Sequence, residues 1–244
     1  MGPVLALYLI LVLAGVPVLI WRSSRGQGLL GIPRLVLYRS AMTTSWGMAL
    51  MGAAVLWWDQ SLSPGEVGLK MIGLGSFLGW STATLAGLAA AAGLFALIRR
   101  LTGRAESASL RHLIPRTRAE RKLYILVAAT AGITEEFVFR GLAITALSKI
   151  PLLSFPGGQW WAAGLVSASF GLGHGYQEAL GMARAGLLGL GLAVPFLLTG
   201  SLLPGMAAHG LLDLSLLLQD FLETRRRRQG EIAASPPAGT VESP

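Results

Sequence analysis

Long apolar runs recur along this chain of 244 residues, and they constrain its fold more than any other feature. A helix that crosses a bilayer needs about 20 mostly apolar residues, and runs of that length are unusual in soluble domains. The composition agrees, since 53% of the residues are hydrophobic and only 13% are charged. The sequence therefore predicts an all-α, polytopic integral membrane helix bundle and argues against a secreted, disordered or compact soluble protein.

Seven segments approach the length of a membrane span, so we expect about seven transmembrane helices. They cover residues 3–21, 41–58, 71–97, 123–147, 159–173, 183–198 and 202–221. The chain divides accordingly into N-terminal transmembrane helices with a basic loop (1–110), a helical core (111–222) and a polybasic tail (223–244). The tail is polar and rich in Pro, Gly and Ser, which predicts disorder.

The positions of lysine and arginine predict the orientation in the membrane. Most of them follow the first, third, fifth and seventh segments, whereas Lys70 and Lys149 lie on the opposite side. Cytoplasmic loops retain positive charge, so we expect the N-terminus outside and the C-terminus inside. This distribution also accounts for the net charge of +8 without nucleic acid, and it makes the lipid bilayer the expected partner of Arg225 to Arg228.

The absence of cysteine limits the chemistry that the chain can perform. No disulfide, thiolate metal site or cysteine nucleophile can be formed. Any catalysis must use carboxylate, imidazole or hydroxyl groups.

Three ionisable residues interrupt the fourth apolar segment within six positions. They are Glu135, Glu136 and Arg140. One charge at the centre of a bilayer costs about 2.5 to 3.5 kcal/mol, so each needs a partner inside the protein. Glu136 and Arg140 are four residues apart and can form an ion pair on one helix face, which would lock helices together. Glu135 lies about 100° further round the helix and must point to a different neighbour.

Two of the three histidines lie in later apolar segments. His174 follows Phe170 near the end of the fifth segment, and His209 lies one helical turn before Asp213 in the seventh. A single histidine in a membrane helix is more often a hydrogen-bond partner of another helix than a catalyst. Here, however, both histidines accompany the acidic residues that lie well inside the spans.

Together these residues resemble the CPBP group of intramembrane proteases, also called the CAAX protease or Abi family. Three motifs occur in order between about residues 115 and 217, which makes 111–222 the predicted catalytic helix core. The motifs are EExxxR (Glu135, Glu136, Arg140), FxxxH (Phe170, His174) and HxxxN/D (His209, Asp213). The resemblance implies an intramembrane endopeptidase, and the family name implies membrane-anchored, prenylated CAAX-type peptides as one class of substrate.

The resemblance also implies catalytic roles. Glu135 would be the general base that takes a proton from water, His174 would help to hold that water, and His209 would stabilise the oxyanion. Asp213 stands where the family often has asparagine, so we expect it to orient His209 through a hydrogen bond; a protonated Asp213 is the alternative. Glu136, Arg140 and Phe170 would be structural.

No cofactor is expected, because a glutamate and a histidine can activate water without a metal. Zinc is the alternative, since Glu135, His174 and His209 together would supply a two-histidine, one-carboxylate site.

Two other functions remain open at this stage. The same helices could act as a non-enzymatic membrane scaffold or immunity factor, or as a proton-coupled transporter, because buried carboxylates and histidines also mark ion pathways. In each case the expected location is a multi-pass protein of a bacterial inner (plasma) membrane, with no nucleic acid as partner.

Overall fold

The structure is a computed structural model in which residues 1–23 and 29–217 are described. Within these ranges the chain is all-helical, without a β-strand, as the sequence predicted. The predicted tail (223–244), with Arg225 to Arg228, lies outside the described residues. The division of the chain at residue 110 stays a prediction.

Eight α-helices organise the described part of the chain. They are α1 (Pro3–Ser23), α2 (Arg34–Asp59), α3 (Leu74–Leu101), α4 (Ala108–Leu113), α5 (Arg118–Glu135, continuing through a π-helical stretch Glu136–Ile144 to Thr145–Ser148), α6 (Gly158–Leu172), α7 (Glu178–Thr199) and α8 (Leu203–Leu217). A π-helical turn also interrupts α1 at Leu11–Gly15.

Three of these helices are long and apolar enough to cross a membrane. They are α1, α3 and the continuous helical stretch Gly175–Thr199 that contains α7, while α8 is apolar but shorter. Charged residues interrupt α5, and α6 has only 15 residues, so neither reaches the same combination of length and hydropathy. The structure therefore supports a membrane protein, whereas seven spans and the orientation of the termini stay predictions.

The π-helical stretch Glu136–Ile144 lies at the centre of the bundle. All nine of its residues are buried, and α6 and α7 pack against it. A helix that is buried on every side belongs in the core, whatever the polarity of individual residues. The outer surface is apolar instead, with Trp57 and Trp58 largely exposed at the end of α2. Charged side chains inside the bundle and large apolar side chains on its surface fit contact with lipid and with the membrane interface.

Local sequence signals fix the helices that carry the polar residues. Thr117 and Glu120 form a capping box at the start of α5.

The loop before α3 enters the bundle, where Val67 is fully buried and the carbonyl oxygen of Gly68 accepts a hydrogen bond from Leu202 N at 3.0 Å. This contact holds the start of α8 against the core.

Candidate active site

A close crossing of α5 and α8 brings the polar residues of these helices together. A Cβ atom on Gly132 would lie 2.8 Å from the carbonyl oxygen of Met206 and 3.0 Å from Gly210 N. Only glycine permits this approach of two backbones. Gly132 precedes Glu135 by three residues and Gly210 follows His209, so the crossing places that imidazole beside the paired glutamates.

His209 is the centre of the resulting polar cluster, and it is only 6% exposed. Its Nδ1 lies 2.8 Å from Oε1 of Glu136, a hydrogen-bond distance at which Nδ1–H donates to the carboxylate. Its Nε2 lies 3.9 Å from Oε2 of Glu135 and 3.7 Å from Oδ2 of Asp213. The hydrogen bond that fixes the imidazole ring is therefore made by Glu136, whereas we expected Asp213 to make it.

Glu136 and Arg140 form the ion pair that their spacing predicted. Nη1 of Arg140 lies 3.0 Å from Oε1 of Glu136, and each side chain is 1% exposed. Arg140 also donates from Nη2 to the carbonyl oxygen of Gly189 at 3.0 Å, and its guanidinium group lies 4.7 Å from the centre of the Phe170 ring. The pair thus connects α5 to both α6 and α7.

Phe170 also lies between the two histidines. Its ring centre is 4.6 Å from that of His174 and 6.4 Å from that of His209. Nδ1 of His174 bonds to the carbonyl oxygen of Phe170 at 2.8 Å, which holds the imidazole just beyond the end of α6. The phenylalanine of the second motif therefore positions His174 through both its ring and its backbone.

A cavity of about 380 Å³ opens onto Glu135 and His174. Phe139 and Phe170 form part of its wall on the side of the polar cluster. Most of the remaining wall is apolar and belongs to α1 and α2, with Val16, Ile20, Leu37 and Met48 among the lining residues. Glu136 does not line this cavity, so the two adjacent glutamates have different environments.

Two contributors to this cavity were missed by sequence reasoning. Tyr176 lines it, and its ring centre lies 5.8 Å from that of His174. The tyrosine is only two residues after the histidine, but the hydropathy pattern assigns its stretch to neither of the two neighbouring spans. The helix α1 carries no motif, so its place beside Glu135 and His174 has no signal in the sequence.

The zinc alternative requires Glu135, His174 and His209 to converge on one metal ion. Within residues 1–23 and 29–217, no group of three or more acidic or histidine side chains is placed to hold a metal ion. Nδ1 of His174 bonds to the carbonyl oxygen of Phe170 and Nδ1 of His209 to Glu136, so Nε2 is the nitrogen that each imidazole would offer to a metal. The zinc site therefore stays an alternative prediction.

Chemically, the cluster combines a carboxylate that faces a cavity with two imidazole groups. A carboxylate beside an imidazole can take a proton from water and later release it to a leaving amine. The buried Glu136–Arg140 pair stabilises the site, because the hydrogen bond between Glu136 and His209 holds the imidazole in one orientation.

Comparison with known proteins identifies a similar family. Residues 119–215 match the model of the family described as type II CAAX prenyl endopeptidase Rce1-like. All three motifs lie within that range. No curated protein and no solved structure gives a significant match to the chain. The family predicted from the motifs is therefore the one whose model matches residues 119–215 of this chain.

Proposed function

We propose that the protein is an intramembrane endopeptidase that hydrolyses a peptide bond with a water molecule activated by Glu135. One observation carries this proposal: Glu135 and His174 open onto the same cavity, and His209 lies 3.9 Å from Glu135. The Rce1-like match over residues 119–215 independently favours a protease.

In the proposed reaction, Glu135 removes a proton from a water molecule that His174 helps to position. The hydroxide attacks the carbonyl carbon of the substrate, and the carbonyl oxygen becomes an oxyanion. The imidazolium form of His209 stabilises that negative charge with its Nε2–H donor. The protonated Glu135 then gives its proton to the leaving amine, which restores the carboxylate and breaks the C–N bond.

Glu136, Arg140 and Phe170 act as positioning residues in this scheme. Glu136 holds Nδ1 of His209, so that Nε2 is directed towards Glu135 and Asp213. Because Nδ1–H donates to Glu136, His209 can offer a second N–H at Nε2 only in its imidazolium form, which the surrounding carboxylates favour. Asp213 remains a proposed site residue: its carboxylate lies 3.7 Å from Nε2 of His209 and would help to orient that imidazole.

The apolar walls supplied by α1 and α2 favour a membrane-anchored peptide as substrate. Such a wall accommodates a hydrophobic peptide segment or a lipid chain more readily than a soluble polar peptide. A prenylated CAAX-type peptide fits this description, and the Rce1-like match supports the same class.

The test is cleavage of a peptide with a prenylated C-terminal cysteine by the protein in liposomes. Glu135→Ala and His174→Ala should abolish cleavage while both variants remain folded. His209→Ala should reduce the rate about 10²- to 10³-fold, the usual result of losing one oxyanion donor. Glu66→Ala, which removes an exposed carboxylate outside the cluster, is the control and should cleave normally. Retained cleavage by Glu135→Ala would refute the base assignment.

We also propose that the reaction needs no metal. Cleavage should then persist after treatment with 1,10-phenanthroline or EDTA. Loss of activity on chelation and its recovery with zinc would favour the metalloprotease alternative. Uptake of a solute that depends on Glu135, in the absence of any cleavage, would favour a transporter instead.

Seven spans, an external N-terminus and a bacterial inner membrane form the topological part of the proposal. The lack of native cysteine makes this part directly testable, because each introduced cysteine is the only thiol in the chain. The Gly65→Cys variant should react with an impermeant maleimide from outside the cell, and the Gly103→Cys variant should not. The opposite pattern would contradict the proposed orientation.

A further inference from the structure

A second cavity, of about 600 Å³, lies where the C-terminal end of α3 meets the start of α7. Four guanidinium groups and two carboxylates contribute to its lining. They belong to Arg99, Arg104, Arg111 and Arg184, and to Glu106 and Glu178. The cavity therefore has an excess of two positive charges, and no residue of the proposed hydrolytic cluster lines it.

Glu106 is too heavily shared to neutralise the arginines around it. It pairs with Arg99, and its other carboxylate oxygen lies 3.8 Å from Nη1 of Arg184. Arg111 donates to the backbone carbonyl oxygen of Glu106 at 2.5 Å, not to its carboxylate. Arg104 makes no ion pair or side-chain hydrogen bond to the described part of the chain. Guanidinium donors in this cavity are thus left without a full counter-charge.

The surrounding geometry suits an anion with several oxygen atoms. Guanidinium groups bind phosphate through paired N–H donors, and such charge-assisted bonds are stronger than neutral ones. The first turn of α7 also lines the cavity, which adds the positive end of a 22-residue helix, although Glu178 opposes it there. Basic pockets between membrane helices commonly hold the phosphates of lipid headgroups.

A chain of hydrogen bonds connects this cavity to the proposed active site. Arg184 donates from Nη2 to Oε1 of Gln177 at 2.9 Å, and Gln177 donates from Nε2 to the hydroxyl oxygen of Tyr176 at 3.1 Å. Tyr176 lines the cavity that contains Glu135 and His174. An anion bound to Arg184 would therefore be connected, through Gln177, to Tyr176, which lies beside His174 in the proposed active site.

We propose that the arginine-lined cavity is a binding site for a phosphate-class anion, supplied either by the headgroup of an anionic lipid or by inorganic phosphate. The site goes beyond the proposed hydrolysis. Its occupancy can be measured without any substrate.

The experiment measures the affinity of the purified full-length protein for two probes by isothermal titration calorimetry in neutral detergent. The probes are short-chain phosphatidic acid and inorganic phosphate. Arg104→Gln and Arg99→Gln should each weaken binding about tenfold, the effect of losing one charge-assisted contact. Arg100→Gln removes the same charge from the neighbouring residue of α3 outside the cavity, so it should leave the affinity nearly unchanged.

Tighter binding of phosphatidic acid would identify the lipid headgroup as the source, and equal affinities would show that phosphate alone suffices. Absence of binding by the unaltered protein, or equal weakening by Arg100→Gln and Arg104→Gln, would overturn the site. Arg104 is exposed and makes no ion pair within residues 1–23 and 29–217, so its variant remains informative if Arg99→Gln does not fold. Glu135→Gln should bind both probes normally, which separates this test from that of hydrolysis.

Discussion

Two ion pairs at opposite extremes of burial show what stabilises this protein. Glu136 and Arg140 lie 3.0 Å apart with side chains that are 1% exposed, whereas Glu66 and Lys149 lie 2.6 Å apart with side chains that are 44% and 40% exposed. The outer pair is the closer one, yet water and salt screen it. We therefore expect burial to predict the contribution of each pair to the free energy of unfolding better than the distance between its atoms does.

The partners of each pair make the same distinction. Glu136 also binds His209, and Arg140 also contacts Gly189 and Phe170, so the inner pair connects four helices. The outer pair connects one loop to the end of α5. Loss of the inner pair should disturb the site, whereas loss of the outer pair should affect only a surface contact.

The largest effect is expected from Arg140→Met. This variant leaves the Glu136 carboxylate buried without its cation, which typically costs about 3 to 5 kcal/mol. The thermal unfolding of the detergent-solubilised protein, followed by tryptophan fluorescence, should show a large fall in the midpoint or no folded protein. A midpoint equal to that of the unaltered protein would contradict the comparison.

A smaller but still clear loss is expected from Gly132→Ala. The added Cβ would meet backbone atoms of α8, so the two helices must separate, and overpacking of this kind costs about 1 to 3 kcal/mol. Cleavage should fall together with the unfolding midpoint, because His209 moves away from Glu135. Gly87→Ala is the matched control. A Cβ at Gly87 meets no atom within 4 Å, and its midpoint should not fall. Equal unfolding midpoints of the two variants would show that the close crossing at Gly132 does not contribute to stability.

The smallest effect is expected from Lys149→Met. Exposed pairs contribute about 0.2 to 1 kcal/mol, so the unfolding midpoint at pH 7 should change little and cleavage should be unaffected. A loss as large as that of Arg140→Met would show that exposure is a poor guide here.

The pH dependence of the outer pair can sharpen this result. The hydrogen bond from Lys149 is the main reason that the pKa of Glu66 is lowered from 4.5 to about 2. A carboxylate whose pKa is lowered by folding stabilises the folded state at pH values above its ordinary pKa. This contribution is lost as the pH falls towards 2. The small difference between Lys149→Met and the unaltered protein should thus be present at pH 7 and disappear between about pH 4.5 and 2. A difference that grows on acidification would contradict the assignment.

Helical spacing was sufficient to predict the contacts within one helix but not those between helices. The Glu136–Arg140 pair follows from four-residue spacing in α5. The bond from Glu136 to His209 does not, because it depends on the crossing at Gly132 and Gly210. Span ends estimated from hydropathy could not show that His174, beyond the end of α6, faces the same cavity as Glu135.

The parts without motifs were the least predictable. The apolar wall supplied by α1 and the arginine-lined cavity both depend on packing between segments that are distant in sequence. The basic residues of the latter were predicted only as a sign of membrane orientation. Four of them line one cavity because the end of α3, α4 with the loop before it, and the start of α7 pack at the same end of the bundle.

We propose separate roles for two adjacent glutamates: Glu135 activates water, and Glu136 stabilises the core. The most direct test measures cleavage and the thermal unfolding midpoint of Glu135→Gln and Glu136→Gln side by side. We predict that Glu135→Gln abolishes cleavage at an unchanged midpoint, and that Glu136→Gln lowers the midpoint markedly. Cleavage by Glu135→Gln at the normal rate, or an equal loss of stability in both variants, would contradict separate roles for the two glutamates.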